Sequence, residues 1–120
     1  MRGRTLHLLL SILLLLLTSC AEAQLVPAPL TVRSTAVEIA HQYLDMPYAW
    51  GGQSFWWEQG GTVDCSGLII NIFKEAGRCR GYVLSYEDAT AEQLQQHSVP
   101  VATPESGDVI FMAQMGRSPT

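Results

Sequence analysis

The stretch TVDCSGLIINIFKEAG, Thr62 to Gly77, sets an acid, a thiol and a hydroxyl side by side where an apolar helical pattern begins. Leu68, Ile69, Ile72, Phe73 and Ala76 recur at helical spacing, which predicts an α-helix over Cys65–Ala76. Asp64 has the side chain of an N-cap, and Gly77 is a natural C-terminal cap. Cys65 then stands in the first turn, where free amide N–H groups and the positive end of the helix dipole favour an anion. The thiolate is the nucleophilic form of cysteine, so this position favours a reactive thiol over a buried structural one.

Upstream, TAVE at Thr35–Glu38 matches a capping box and predicts a helix over Thr35–Leu44. Ala36, Val37, Ala40, Tyr43 and Leu44 fall on its one face. Asp45-Met46-Pro47 ends it, because a residue before proline avoids helical geometry. The Gly- and Trp-rich segment from Tyr48 to Val63 reads as a loop, in which Trp56 and Trp57 either cap core edges or line a groove. Downstream, Thr90 and Gln93 make a second capping box and predict a short helix over Ala91–Gln96. GDVIFMA, Gly107–Ala113, is an unbroken apolar run that reads as a strand buried on both faces. Val83–Ser85 and Val99–Thr103 are the other short strand candidates. Helices laid against a sheet make the fold class α+β.

The N-terminus reads as a targeting segment. Arg2 and Arg4 precede a mostly apolar run, Leu6 to Leu17. At 1.5 Å per residue that run is about 18 Å long, short of a ~30 Å hydrocarbon core. Residues 1–19 are therefore a signal peptide rather than a membrane span. LTSC, ending at Cys20, is similar to the lipobox of bacterial lipoproteins, which implies lipidation of Cys20 and a membrane anchor. Ordinary secretory cleavage after Ala23 is the alternative, giving a soluble exported protein. Residues 20–34, with two prolines among QLVPAPL, read as a tether to a single small domain at 35–120. The formal net charge is −4 for the whole chain. With no basic cluster, nucleic acid is excluded as a partner. A helix over Cys65–Ala76 would separate its ends by about 16 Å, and Cys79, three residues past it, is not expected to fold back to within the ~7 Å between Cα atoms that a disulfide with Cys65 needs.

Three pieces in order, PYAWGG at Pro47–Gly52, DCSGL at Asp64–Leu68 and SGDVIFM at Ser106–Met112, resemble the NlpC family of bacterial cell-wall cysteine peptidases. The resemblance covers about Val37 to Met112. It implies a papain-like α+β domain that hydrolyses peptide bonds of peptidoglycan stem peptides through an acyl-enzyme, with no metal or other cofactor. Cys65 corresponds to the nucleophile, and Tyr48 to a tyrosine whose hydroxyl steadies the oxyanion. Asp64 and Ser66 match residues that hold a free ammonium of the stem, a role Asp64 can combine with capping. Trp50, Gly51 and Gly52 match the turn that shapes the groove.

Two departures stand beside the match. Eleven residues separate Gly52 from Asp64, a longer loop than the family's usual one, and Val63 replaces the common aromatic before the acid. The family's general-base histidine opens the strand after GDVIFM, and that position lies beyond Thr120. The expectation is thus a domain truncated to its helical half plus the first strand of the sheet, inactive or weak by itself. His41, reaching toward solvent, and His97, ending the third helix, are not expected to replace the base. The rival expectation is a catalytically inactive lipoprotein that binds wall peptides or a protein partner through the same groove. An amidase or acyltransferase on the same fold is a third, since fold alone does not fix the reaction.

Overall fold

The computed structural model describes residues 26–85 and 87–112. Cys20 and the segments read above as signal peptide and lipobox lie outside them. Three α-helices organise the described residues: α1, Leu30–Ala40, prolonged by a 3-10 turn at His41–Tyr43; α2, Cys65–Cys79; and α3, Ala91–Gln96. α1 packs along α2. Val32, Ala36, Tyr43, Val63, Ile72 and Ala76 form the core between them, with Leu68 and Phe73 packed against it. On another side of α2, Ile70 joins Ala89 and Leu94 in a second, smaller cluster that docks α3.

α1 starts five residues before the capping box predicts, inside the stretch read as tether. Its N-cap is Pro29, whose carbonyl accepts from the Arg33 N–H at 3.0 Å. Thr35 is not a cap at all. It lies within the helix, where its Oγ1 donates to the Thr31 carbonyl at 2.9 Å and accepts from Arg80 Nε at 2.8 Å. Packing explains the difference. Val32 and Ala36, one turn apart, are each only 3 % exposed against α2. Burying a valine side chain contributes about 1.5–3 kcal/mol, whereas an N-cap is typically worth about 1. Leu44, predicted on the buried face, is exposed, because the chain leaves the helix at Tyr43 and turns through Asp45 at φ 65°.

α2 keeps its predicted start and runs a turn beyond Ala76. Gly77 is inside the helix, and its missing Cβ admits the Tyr82 carbonyl, which a Cβ would approach to 3.0 Å. The stop comes at Arg80 and Gly81. The Tyr82 N–H returns to the Gly77 carbonyl at 2.9 Å while Gly81 takes φ 77°, a Schellman-type ending. α3 spans the predicted residues, with both halves of its Thr90–Gln93 capping box formed.

The expected strands are not formed among the described residues, and Ala113 of the Gly107–Ala113 segment lies outside them. Among the described residues there is no β-strand, only isolated bridges from Val63 to Tyr48 and to Gln53. Residues 109–112 are neither helix nor strand, and Ile110 and Met112 are 72 % and 91 % exposed rather than buried. Val83, Val99 and Val101 are exposed too. A strand exists only through a ladder with a neighbour, and none of these segments supplies one to another. What holds the SGD turn in place is α1. Asp108 accepts from Arg33 Nη1 at 2.9 Å and from the Glu105 N–H at 2.7 Å. Gly107, at φ 86°, lies so close to α1 that a Cβ would stand 2.6 Å from the Arg33 Cβ.

Candidate active site

The site is assembled around Val63. Its N–H donates to the Pro47 carbonyl at 3.1 Å, and its own carbonyl accepts from Ala49 at 3.2 Å. On either side, Ser54 N–H reaches the Thr62 carbonyl at 3.0 Å, and Asp64 N–H reaches the Gly52 carbonyl at 2.8 Å. Residues 47–54 therefore wrap the segment that enters α2. Val63 fills the buried core at their centre.

The glycines follow from close approach. A Cβ on Gly52 would stand 2.7 Å from the Thr62 carbonyl carbon, and a Cβ on Gly67 would run into the Gly52 oxygen. PYAWGG and DCSGL are thus the two halves of one backbone contact. Asn71, 3 % exposed on α2, fixes the continuation of the loop by donating to the carbonyls of Gln53 and Ser54, both at 2.9 Å.

Asp64 caps α2, accepting from Gly67 N–H at 2.7 Å. Ser66 Oγ donates to the same oxygen, Oδ1, at 3.2 Å, and the other oxygen, Oδ2, accepts from Gly51 N–H at 3.0 Å. One carboxylate therefore fixes the helix start, the glycine turn and the neighbouring hydroxyl. Cys65 is exposed on the first helical turn beside it.

The thiol opens on a groove of about 570 Å³. Tyr48, Trp50, Asp64, Cys65 and Ser66, all expected from the sequence, share it. Trp50 is 92 % exposed, so its indole is open to whatever enters. The opposite wall was not expected. It is the segment from Asp88 to Gln93, the lead-in and first turn of α3. The capping box gave that helix, but no local signal tells which surface a short helix docks on. Gln53, also missed, joins the walls through a hydrogen bond from its Nε2 to Asp88 Oδ1 at 2.9 Å.

Other expected candidates lie elsewhere. His41 is exposed, with Nδ1 2.8 Å from the Val37 carbonyl, and His97 follows α3; neither lines the groove. Trp56 and Trp57 are both exposed and do not line this groove. Trp56 Nε1 donates to Glu75 at 3.3 Å, and Trp57 stacks on Phe55 with ring centroids 4.6 Å apart. Glu75 also accepts from the Tyr43 hydroxyl at 3.2 Å. Burial, reinforced by the Glu75 carboxylate, pushes the Tyr43 phenol well above its ordinary range. Cys79 occupies the last residue of α2, so the two thiols stand at opposite ends of one helix. Among the described residues no three His, Cys, Asp or Glu side chains converge to hold a metal ion.

An exposed thiol on the first turn of a capped helix, facing a groove, is an arrangement suited to acyl transfer by a cysteine nucleophile. The family comparison agrees with that class. The model of the NlpC/P60 family matches residues 45–120, well over half of the chain, and the chain belongs to that family, one of cell-wall cysteine peptidases. No curated protein and no solved structure matches it.

Proposed function

We propose that this protein is an exported peptidase, lipid-anchored at Cys20, that hydrolyses peptidoglycan stem peptides on a papain-like α+β domain. The described residues form the helical part of that domain. The observation that carries the reading is the convergence of Tyr48, Asp64, Cys65 and Ser66 on one groove. The Cys65 sulfur attacks a stem carbonyl, the C–N bond breaks, the amine leaves with a proton, and water then hydrolyses the thioester to regenerate the thiol. Tyr48 steadies the oxyanion, Trp50 shapes the groove, and Asp64 with Ser66 receives an ammonium of the stem. The proton must come from a group within hydrogen-bond reach of the site. Because His41 and His97 stand outside the groove, this reading assigns that role to a group beyond the described residues. The same observation favours a second reading, a lipoprotein that binds wall peptides without cleaving them.

A stem peptide carrying a terminal vinyl sulfone tests both. Mass-spectrometric mapping should find a saturable adduct on Cys65, none on Cys79, and none in Cys65→Ala. Unsaturable labelling of both thiols would remove the groove as a stem-peptide site. A saturable Cys65 adduct without turnover of the unmodified peptide would select the binding reading.

A further inference from the structure

The groove has two walls of unequal rigidity. The wall formed by residues 48–53 is locked to α2 by the Val63 hydrogen bonds, the Asp64 carboxylate and the buried Asn71 amide. The facing wall, residues 88–93, is held more lightly. Ala89 and Leu94 plug into Ile70, and Lys74 Nζ donates to the Glu87 carbonyl at 2.7 Å on the exposed surface. α3 itself is only six residues long. A helix that short draws its stability from packing and not from its own hydrogen bonds. Between the walls runs one direct side-chain link, Gln53 Nε2 to Asp88 Oδ1 at 2.9 Å, joining positions 35 residues apart.

We infer that the Gln53–Asp88 hydrogen bond is a tie that sets the width of the Cys65 groove, making both residues specificity determinants for the bulk of the acyl group that reaches the thiol. Both side chains line the groove. The Gln53 backbone cannot yield, since Asn71 holds its carbonyl and a bridge to Val63 holds the strand-like segment around it. Release of the tie therefore moves Asp88 and the lead-in to α3 while leaving the Cys65 side in place. Substrates with a slim backbone next to the scissile bond pass the tied groove; branched or cross-linked ones need it open. This inference rests on the peptidase reading only for the word substrate. The geometry concerns access to a thiol, whatever chemistry follows.

The test compares alkylation of Cys65 by iodoacetamide, which is small, with that by N-pyrenylmaleimide, which is bulky, each followed by peptide mapping. The quantity read is the ratio of the two rates. Gln53→Ala and Asp88→Ala should each raise the bulky-to-small ratio about two- to threefold, the effect of losing one solvent-exposed hydrogen bond at the weak end of the usual range. Asp88→Asn keeps an oxygen that accepts from Gln53, so its ratio should stay near that of the wild type. A ratio that is unchanged or lower in both alanine variants overturns the inference. So does an equal acceleration of both reagents, which would mean general loosening, or an asparagine variant that behaves like the alanine one. None of these readouts needs peptide hydrolysis, so the tie can fail while the stem-peptide adduct forms, and the reverse.

Discussion

Gly67→Ala sets two effects of known size against each other at the candidate active site. Gly67 is the third residue of α2, and helix propensity alone makes alanine better there by about 1 kcal/mol. The surroundings say otherwise. The added methyl would run into the Gly52 carbonyl oxygen and stand 3.0 Å from Asp64 Oδ1. Neither is a flexible chain end. The Gly52 oxygen is pinned by the Asp64 N–H at 2.8 Å, and Asp64 Oδ1 is the atom that caps the helix at 2.7 Å. Forcing a methyl into packed structure costs about 1–3 kcal/mol. Losing the Gly52–Asp64 hydrogen bond adds about 0.5–1.5 kcal/mol. The clash outweighs the propensity gain, and the net loss should be about 2 kcal/mol. With a slope on the order of 1 kcal/mol per M urea for so small a domain, the midpoint followed by far-ultraviolet circular dichroism should fall by about 2 M. Gly77→Ala, where the nearest atom is the Tyr82 oxygen at 3.0 Å, should cost less. A Gly67→Ala midpoint equal to or above that of the wild type would refute the close approach of the two motif halves.

Two further outcomes follow from titratable groups. The Glu105 N–H, aided by Arg33, holds the Asp108 carboxyl below the usual carboxylate range. A folded-state value below the unfolded one stabilises above about pH 4 and is lost as pH falls through the folded value. The stability gap between wild type and Asp108→Asn, measured by urea midpoints, should therefore narrow steadily below about pH 4; a constant gap refutes the pairing. Tyr43 has the opposite sign, because its raised folded value contributes below about pH 10 and is lost as pH rises through the folded value. Tyr43→Phe leaves Glu75 Oε2 without that donor and should cost about 1–3 kcal/mol at neutral pH. Phenolate absorbance should show one tyrosine that ionises only as the protein unfolds, and its ionisation in the folded state alongside the exposed tyrosines would contradict the burial.

What the sequence made legible was local. Asp64 as cap, the start of α2 at Cys65 and the whole of α3 come from interactions within four residues, which one-dimensional pattern captures. The start of α1 was missed because the decisive contact, Val32 against α2, lies far along the chain, and a well-formed capping signature sat downstream as a decoy. Gly77 was misread for a related reason. A glycine near a helix end serves either a turn or a close approach, and only the position of Tyr82 tells which. The strand at Gly107–Ala113 was inferred from composition, yet strand formation depends on a partner that no local pattern contains. The site divides the same way. The residues on the Cys65 side were readable as motifs, whereas Gln53, Asp88 and Asn71 gain their roles only from the fold.

The hydrogen bonds of Asp64 also bear on how a stem ammonium would be received. A carboxylate has about four lone-pair sites, and Gly51, Ser66 and Gly67 already donate to three. Turning this side chain to meet a ligand would uncap α2 and release the glycine turn that Gly67 packs against. Asp64 is therefore better suited to act in place, through its charge and its remaining lone pair. Ser66 is the complementary member. By donating its proton to Asp64, its hydroxyl oxygen keeps lone pairs with which to accept from an N–H donor in the groove. An ammonium received this way would lie between the serine oxygen and the fixed carboxylate, beside the thiol and with no rearrangement of the helix start. The same bonds that make the fold at this point also orient the acceptors, which is why the acid, the thiol and the hydroxyl must be consecutive.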